Sequence, residues 1–256
     1  MPFPLSVNLP SPPDKSPETA GDRPSPSPQA QQVRSLFNQI APVYDAMNGW
    51  LSLGLHRVWK QMAVTWSRPQ PGATVLDVCC GSGDLARLLA RQVGATGQVF
   101  GLDFAEEQLA IARQLTACQG RLPITWVEGD ALHLPFADSF FDAATMGYGL
   151  RNVVDIPQSL RELQRVLKPG ATVAILDFHR PASLPMQHFQ AWYLNQVVVP
   201  IAARFGLQEE YAYIAPSLER FPGGSQQVAL ALDAKFGSAT HYAIAGGMMG
   251  VLVATK

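Results

Sequence analysis

An aspartate inside an apolar run, a glycine-rich turn just after it, and a second acid further on form a set that could hold a charged nucleoside cofactor. In TVLDVCCGSGDLARLLARQV, which starts at Thr74, Asp77 sits where a buried strand would ordinarily avoid a charge. Gly81-Ser82-Gly83 then opens the pattern G-x-G-x-x-A, whose glycines allow a tight turn and close backbone approach to a ligand. Asp103 follows the turn by about 20 positions, the spacing at which an acid binds a ribose hydroxyl. Nicotinamide cofactors and S-adenosylmethionine share these features. A carboxylate at Asp77 suits a ligand carrying an ammonium and a sulfonium, and would repel a diphosphate.

Two further groups narrow the choice. Gly129-Asp130-Ala131 precedes LPFADSFFD and puts a polar group where methyltransferases read the adenine amine of S-adenosylmethionine. The string GYGLRN supplies Tyr148, Arg151 and Asn152 just beyond another apolar run. Ordinary structural readings stand beside these: Asp77 as a solvated strand-end residue, Asp103 as a helix cap and Arg151 as half of a structural ion pair.

The elements that must position these residues follow from periodicity. Val33, Leu36, Phe37 and Ile40 predict a short amphipathic helix before Pro42, and Leu55 to Trp66 predicts a second. Strands are expected at Thr74–Cys79, Gly97–Asp103, Ile124–Glu128, Phe141–Tyr148 and Ala171–Phe178. Helices are expected from Gly83, over Glu106–Cys118 and over Ile156–Leu167, the last stopped by Pro169-Gly170. Alternation with short connections specifies a doubly wound parallel sheet that binds ligands at the carboxyl ends of its strands. Beyond Pro181, Met186 to Phe205 reads as an apolar helix, followed by a polar loop with Pro216 and a helix capped by Ser225. HYAIAGGMMGVLVATK reads as an antiparallel edge hairpin turning at Gly246-Gly247.

Composition sets the limits. The 256 residues are 47% hydrophobic and 15% charged, enough for a sizeable core. A net charge of −1 exerts no pull on nucleic acid. Cys79, Cys80 and Cys118 form neither a disulfide framework nor a metal-ligand pattern, which fits a reducing compartment. Nine of the 21 prolines fall in the first thirty residues, so 1–30 reads as a disordered tail and 31–256 as one domain. Within that domain, 31–70 forms an N-terminal helical lid and 183–224 an insertion facing the substrate. Asn195, Gln196 and Pro200 interrupt the longest apolar stretch well short of the roughly 20 residues that span a membrane.

FNQIAPVYDAMNGWLSLGLHRVWK, LDVCCGSGDLA, GLDF, GDALHLPFADSFFD, GYGLRNVVDIPQSLRELQRVLKPG and GVLVATK together resemble the ubiquinone/menaquinone biosynthesis C-methyltransferases. The resemblance runs from about Val33 to Lys256, and its IAPVYD and YGLRNV strings are far more specific than the glycine turn. Vicinal cysteines before GSGD, together with MGYGLRNVVDIPQ and ILDFHRP, look most like the cyanobacterial branch that methylates 2-phytyl-1,4-naphthoquinone.

The resemblance implies a class I S-adenosylmethionine-dependent fold: a mostly parallel seven-stranded sheet with an antiparallel C-terminal edge strand. Cofactor-binding roles carry over to Asp77, Gly81, Ser82, Gly83, Asp103, Phe104, Asp130, Ala131 and Gly147, the last a serine in many relatives. Cys79 and Cys80 replace smaller residues and read as packing groups. The implied acceptor is a lipid-soluble prenylated naphthoquinol, demethylphylloquinol in the cyanobacterial branch, and the chemistry requires no metal. Ionising a ring hydroxyl makes the adjacent carbon nucleophilic, and Arg151 is placed to stabilise that oxyanion. Tyr148 and Asn152 come next, with Tyr44, Asp45, His56 and His179 in reserve. Phe189, Trp192, Tyr193, Leu194, Val197, Val198, Val199 and Ile201 predict shelter for a lipid tail and peripheral membrane contact by a cytoplasmic protein. Three other readings remain open at this stage: a methyltransferase for demethylmenaquinone or another quinol or phenol, an NAD-binding oxidoreductase disfavoured by Asp77, and a non-catalytic cofactor-binding subunit.

Overall fold

The apolar runs read as buried strands lie side by side in one sheet, and the helices between them cover both of its faces. A computed structural model of the chain describes residues 54–256 apart from 120, 121, 205 and 207. The tail over 1–30, the helix around Val33 to Ile40, the lid up to residue 53, and Tyr44 and Asp45 lie outside the described residues.

Helix α1 (Leu55–Trp66) opens the described chain. Then come β1 (Thr74–Val78), α2 (Asp84–Val93), β2 (Gln98–Asp103), α3 (Glu106–Ala117), β3 (Ile124–Glu128), β4 (Phe141–Gly147), α4 (Ile156–Val166) and β5 (Leu167–Phe178). The second part holds α5 (Leu184–Tyr193), a π turn at Leu194–Val198, α6 (Val199–Ala203), α7 (Gln208–Ala212), α8 (Ile214–Arg220), α9 (Gly224–Asp233), β6 (Ser238–Ile244) and β7 (Met249–Thr255). The seven strands run in the order β3-β2-β1-β4-β5-β7-β6. β1 to β5 are parallel, and β7 runs against both of its neighbours. The C-terminal strand β7 therefore lies one place in, and β6 forms the edge.

Alternation along each strand divides the core. Leu76 and Val78 face one side with Leu160, Leu163 and Phe236, while Val75 faces the other with Val64, Leu85 and Leu89. A third, smaller cluster of Leu194, Val198, Ala202, Tyr211, Ile214 and Leu218 lies over Phe178, so the insertion carries its own core onto the ligand edge of β5.

Several local expectations give way to tertiary pairing. β5 begins at Leu167, not Ala171, because Leu167 still pairs with Phe141 and the proline is absorbed in a register shift. The expected loop around Pro216 is helical. Pro216 is the third residue of α8, in the first turn, where a missing N–H breaks no helical bond. Ser225 is not the cap of α9. Gly223 precedes that helix, and its N–H donates to Gln226 Oε1 at 3.1 Å. Pro200 cannot donate back to Gln196, and the helix widens into the π turn just ahead of it.

Candidate active site

The carboxyl ends of β1 to β5 bring most of the expected site residues to one edge. Two of the connections there are strained. Cys79, directly after β1, has φ 53°, and Tyr148, directly after the neighbouring β4, has φ 58°. Both are left-handed conformations that non-glycine residues rarely adopt. The two turns fit together, since a Cβ on Gly149 would stand 2.6 Å from Cys79 Cβ. Burial pushes the thiols of Cys79 and Cys80 well above their ordinary range, which leaves them protonated packing groups rather than nucleophiles.

In the glycine turn, Gly81 has φ 52° and Gly83 φ 86°. Gly83 also makes room for the indole of Trp126, whose Cη2 would lie 2.3 Å from an added Cβ; the same ring would meet a Cβ on Gly101 at 2.4 Å. Asp103 holds the turn by accepting from Gly81 N at 2.8 Å and from Ala105 N at 3.0 Å. It is not the cap residue of α3, a place taken by Ala105. Phe104 follows, half-buried, and Ala131 is buried beside the exposed Asp130, whose carboxylate accepts from Leu132 N at 2.9 Å. Gly147 packs closely on α2, where a Cβ would approach Leu85 Cδ1 to 2.5 Å.

Asp77 is buried at 1% exposure and is not a solvated strand end. Its Oδ1 accepts from Thr145, its register partner on β4, at 2.8 Å, while Oδ2 has no hydrogen-bond partner. Burial pushes its pKa up to about 7, against the hydrogen bond from Thr145. A buried carboxylate oxygen lacking a donor, next to a glycine turn, is a site that a cationic ligand satisfies. The donor set here therefore fits S-adenosylmethionine.

At the ends of β4 and β5, Arg151 is fixed on several sides. Its Nη1 pairs with Asp177 Oδ1, its own N–H donates to Asp177 Oδ2 at 2.9 Å, and Nε donates to Ser217 Oγ at 2.8 Å. The guanidinium lies 5.1 Å from the centroid of Phe178, whose ring also packs against Tyr148. Asn152 Nδ2 braces the Tyr148 carbonyl at 3.0 Å, and its buried Oδ1 has no partner. Arg151 lines a cleft of about 360 Å³ with Asp155 and Arg220 as well as Val153, Ile156, Tyr213 and Phe221. No hydrogen bond from Nη2 to a described residue accompanies those from Nε and Nη1, so donor capacity remains for a ligand in the cleft.

Asp177, Phe178 and Ser217 were not anticipated as site residues. Asp177 carries the signal that marked Asp77, a charge at the end of an apolar strand; Ser217 carries none. His56 is a buried helix residue whose charge acts on Asp84. His179 Nδ1 donates to Gly247 O at 3.0 Å, and its ring lies tilted against that of His241, centroid to centroid 4.6 Å. The apolar stretch beyond Pro181 divides: Leu194 and Val198 are core, whereas Phe189 and Trp192 are exposed.

A seven-stranded sheet in this order, with an acid-flanked glycine turn at its ligand edge, defines an S-adenosylmethionine-dependent methyltransferase. Solved structures agree on the fold: a SAM-dependent methyltransferase from Aquifex aeolicus superposes with TM-score 0.57 at 20% identity, covering 77% of this chain and 88% of that one. One from Thermotoga maritima, a possible histamine N-methyltransferase, gives TM-score 0.61 at 18% identity over 87% of this chain and 99% of that one. The ubiE/COQ5 methyltransferase family model matches residues 27–256, and the chain belongs to that family. The 2-phytyl-1,4-naphtoquinone methyltransferase of Trichormus variabilis is 61% identical over 88% of this chain and 99% of its own. The chloroplastic 2-phytyl-1,4-beta-naphthoquinone methyltransferase of Arabidopsis thaliana is 53% identical over 89% and 88%.

Proposed function

We propose that the protein methylates a ring carbon of a prenylated naphthoquinol, converting demethylphylloquinol to phylloquinol. The observation that carries this reading is the guanidinium of Arg151, locked between Asp177 and Ser217 with donors to spare at the wall of a cleft that mixes apolar groups with Asn152, Asp155 and Arg220. The activity for which relatives 53–61% identical over 88–89% of this chain are named supports the same substrate class.

S-Adenosylmethionine, when bound, supplies an electrophilic methyl group on sulfur. In this reading Asp77 meets its positive charge, Asp103 its ribose, and Phe104, Asp130 and Ala131 its adenine, while Gly81, Ser82, Gly83 and Gly147 bring backbone close to it. Arg151 would stabilise the acceptor's hydroxyl oxygen as its proton passes to solvent; the neighbouring carbon of the resulting anion would take the methyl as the sulfur–methyl bond breaks and the thioether leaves, and the proton on that carbon would then pass to solvent and restore the aromatic ring. A guanidinium already held in place reorganises little as that charge develops. Tyr148 and Asn152 shape the turn that presents it.

The acceptor's tail belongs to a bilayer, and Leu184, Phe189 and Trp192, at 66%, 44% and 55% exposure, are the surface suited to peripheral contact on its cytoplasmic side. No helix among the described residues is long and apolar enough to cross a membrane.

Methyl transfer from radiolabelled S-adenosylmethionine to demethylphylloquinone, assayed with and without prior reduction, tests the reading. Label is expected in the ring methyl with the reduced form only. Absence of transfer to either form would refute it, and equal rates with demethylmenaquinol would show that the ring, not the tail, is recognised.

A further inference from the structure

Lys60 on α1 is only 6% exposed, and an ammonium group tolerates such burial only when it is paired. Its partner is Asp84, the residue directly after the glycine turn: Nζ donates to Asp84 Oδ2 at 2.5 Å. The other oxygen of Asp84 accepts from Arg87 Nη2, and Arg87 Nη1 reaches back to donate to the carbonyl of Ser82 at 2.6 Å. A continuous chain of charged hydrogen bonds thus links α1 to the backbone of the turn. Burial raises the pKa of Asp84, but Lys60, Arg87 and His56 outweigh it and hold the carboxyl below its ordinary range.

The turn needs such support. Cys79, Gly81 and Gly83 all have positive φ, and its own backbone bond is the single Gly83 N to Cys80 O contact at 2.8 Å. Glycine-rich backbone loses much entropy when it is ordered, so external bonds that hold it in advance leave less for a ligand to offset.

We propose that Lys60, acting through Asp84 and Arg87, is a positioning residue for the cofactor: it holds the Ser82 carbonyl and the Gly81–Gly83 turn in their binding geometry and makes α1 a working part of that site. The inference rests on the assignment of this turn to S-adenosylmethionine. The same ammonium also favours the charged form of Asp77.

The test measures the Kd of S-adenosylmethionine by calorimetry, alongside the melting temperature, on the full chain. Lys60→Met is expected to raise Kd about ten-fold, the scale of one charged hydrogen bond, with kcat at saturating cofactor within about two-fold of wild type. Lys60→Arg is expected to restore most of the affinity, since it keeps a donor to Asp84. Lys168→Met, at the opposite edge of the sheet, serves as the control and leaves Kd unchanged. A folded Lys60→Met with wild-type Kd, or a loss that Lys60→Arg does not recover, overturns the proposal. Should Lys60→Met fail to fold, Asp84→Asn decides: a ten-fold rise in Kd supports the clasp and an unchanged Kd overturns it. Asp103→Asn separates this result from the underlying assignment. If it binds normally, the turn is not the cofactor site; if it loses binding while Lys60→Met does not, only the clasp is wrong.

Discussion

Arg151 and Asp177 form a buried ion pair across the ends of the neighbouring strands β4 and β5, with side-chain exposures of 6% and 4%. Breaking such a pair from one side leaves an uncompensated charge and costs about 3–5 kcal/mol, whereas replacing both members with apolar groups costs far less. Asp177→Leu is therefore expected to melt well below wild type, and Arg151→Met combined with Asp177→Leu to recover most of that loss. The double variant should fold, bind S-adenosylmethionine and fail to transfer methyl. Recovery of turnover along with stability would show that the pair is only structural.

Arg151→Lys tests the guanidinium more finely. Lysine keeps the charge but cannot donate to Asp177, Ser217 and an oxyanion from one planar fork. Turnover is expected to fall about 10²-fold, the usual cost of a lost oxyanion donor, with cofactor Kd within about two-fold. A parallel loss of cofactor affinity would move Arg151 out of the acceptor site.

Asp77 makes both stability and binding depend on pH. In the fold it holds its proton up to about pH 7, against an ordinary value of 3.8. Between those values the native state carries the extra proton, so this residue's effect is to lower stability as pH rises from about 4 to 7, with no further change above. Asp77→Asn should flatten that part of the profile and melt above wild type at pH 8. A cationic ligand favours the carboxylate, so cofactor affinity of the wild type should rise through pH 7 and then level. The Asn variant should bind weakly at every pH, and calorimetry across pH 5.5–8.5, a window chosen as roughly 1.5 units either side of that value, reads both slopes.

Gly83→Ala places a methyl against Trp126, in addition to forcing alanine to φ 86°. Loss of cofactor binding and a lower melting temperature are expected. Adding Trp126→Leu removes the collision but leaves the backbone strain, so stability should return in part and binding should not. Full return of both would assign the glycine to side-chain packing alone.

Membrane contact is best tested by Phe189→Ser combined with Trp192→Ser, two exposed neighbours whose ring centroids lie 5.9 Å apart. Val198 is unsuitable, because at 3% exposure it belongs to the core of the insertion and serine there would unfold it. Co-sedimentation with anionic liposomes should fall at least several-fold while activity on a tail-less naphthoquinol stays near wild type. Equal sedimentation would place the lipid contact elsewhere.

The amino-acid order alone determined what depends on near neighbours. Alternating apolar runs, punctuated by Pro71-Gly72 and the glycine turn, specify parallel strands and covering helices because strand and helix periods are local properties. The order also placed Asp77, Gly81, Gly83, Asp103 and Ala131 at strand ends, since a parallel sheet brings those ends to one edge. Helix α1 and strand β3 fall on the expected residues for the same reason.

Tertiary structure decided the partnerships. Nothing in the sequence around Arg151 indicates that Asp177, 26 positions on, takes its charge, or that Ser217, 66 positions away, fixes its Nε. Nor does the α1 sequence reveal that Lys60 reaches Asp84. Each of these depends on which face of an element meets which neighbour, and on burial that leaves a charge no alternative but the partner beside it. The segment around Pro216 became helical for a similar reason: a cluster of Leu194, Val198, Ile214 and Leu218 over Phe178 outweighs weak local propensity. The glycine turn was legible because its residues are contiguous, and so was Arg151 in GYGLRN; its partners Asp177 and Ser217 were not, because they come from a second strand and a distant helix.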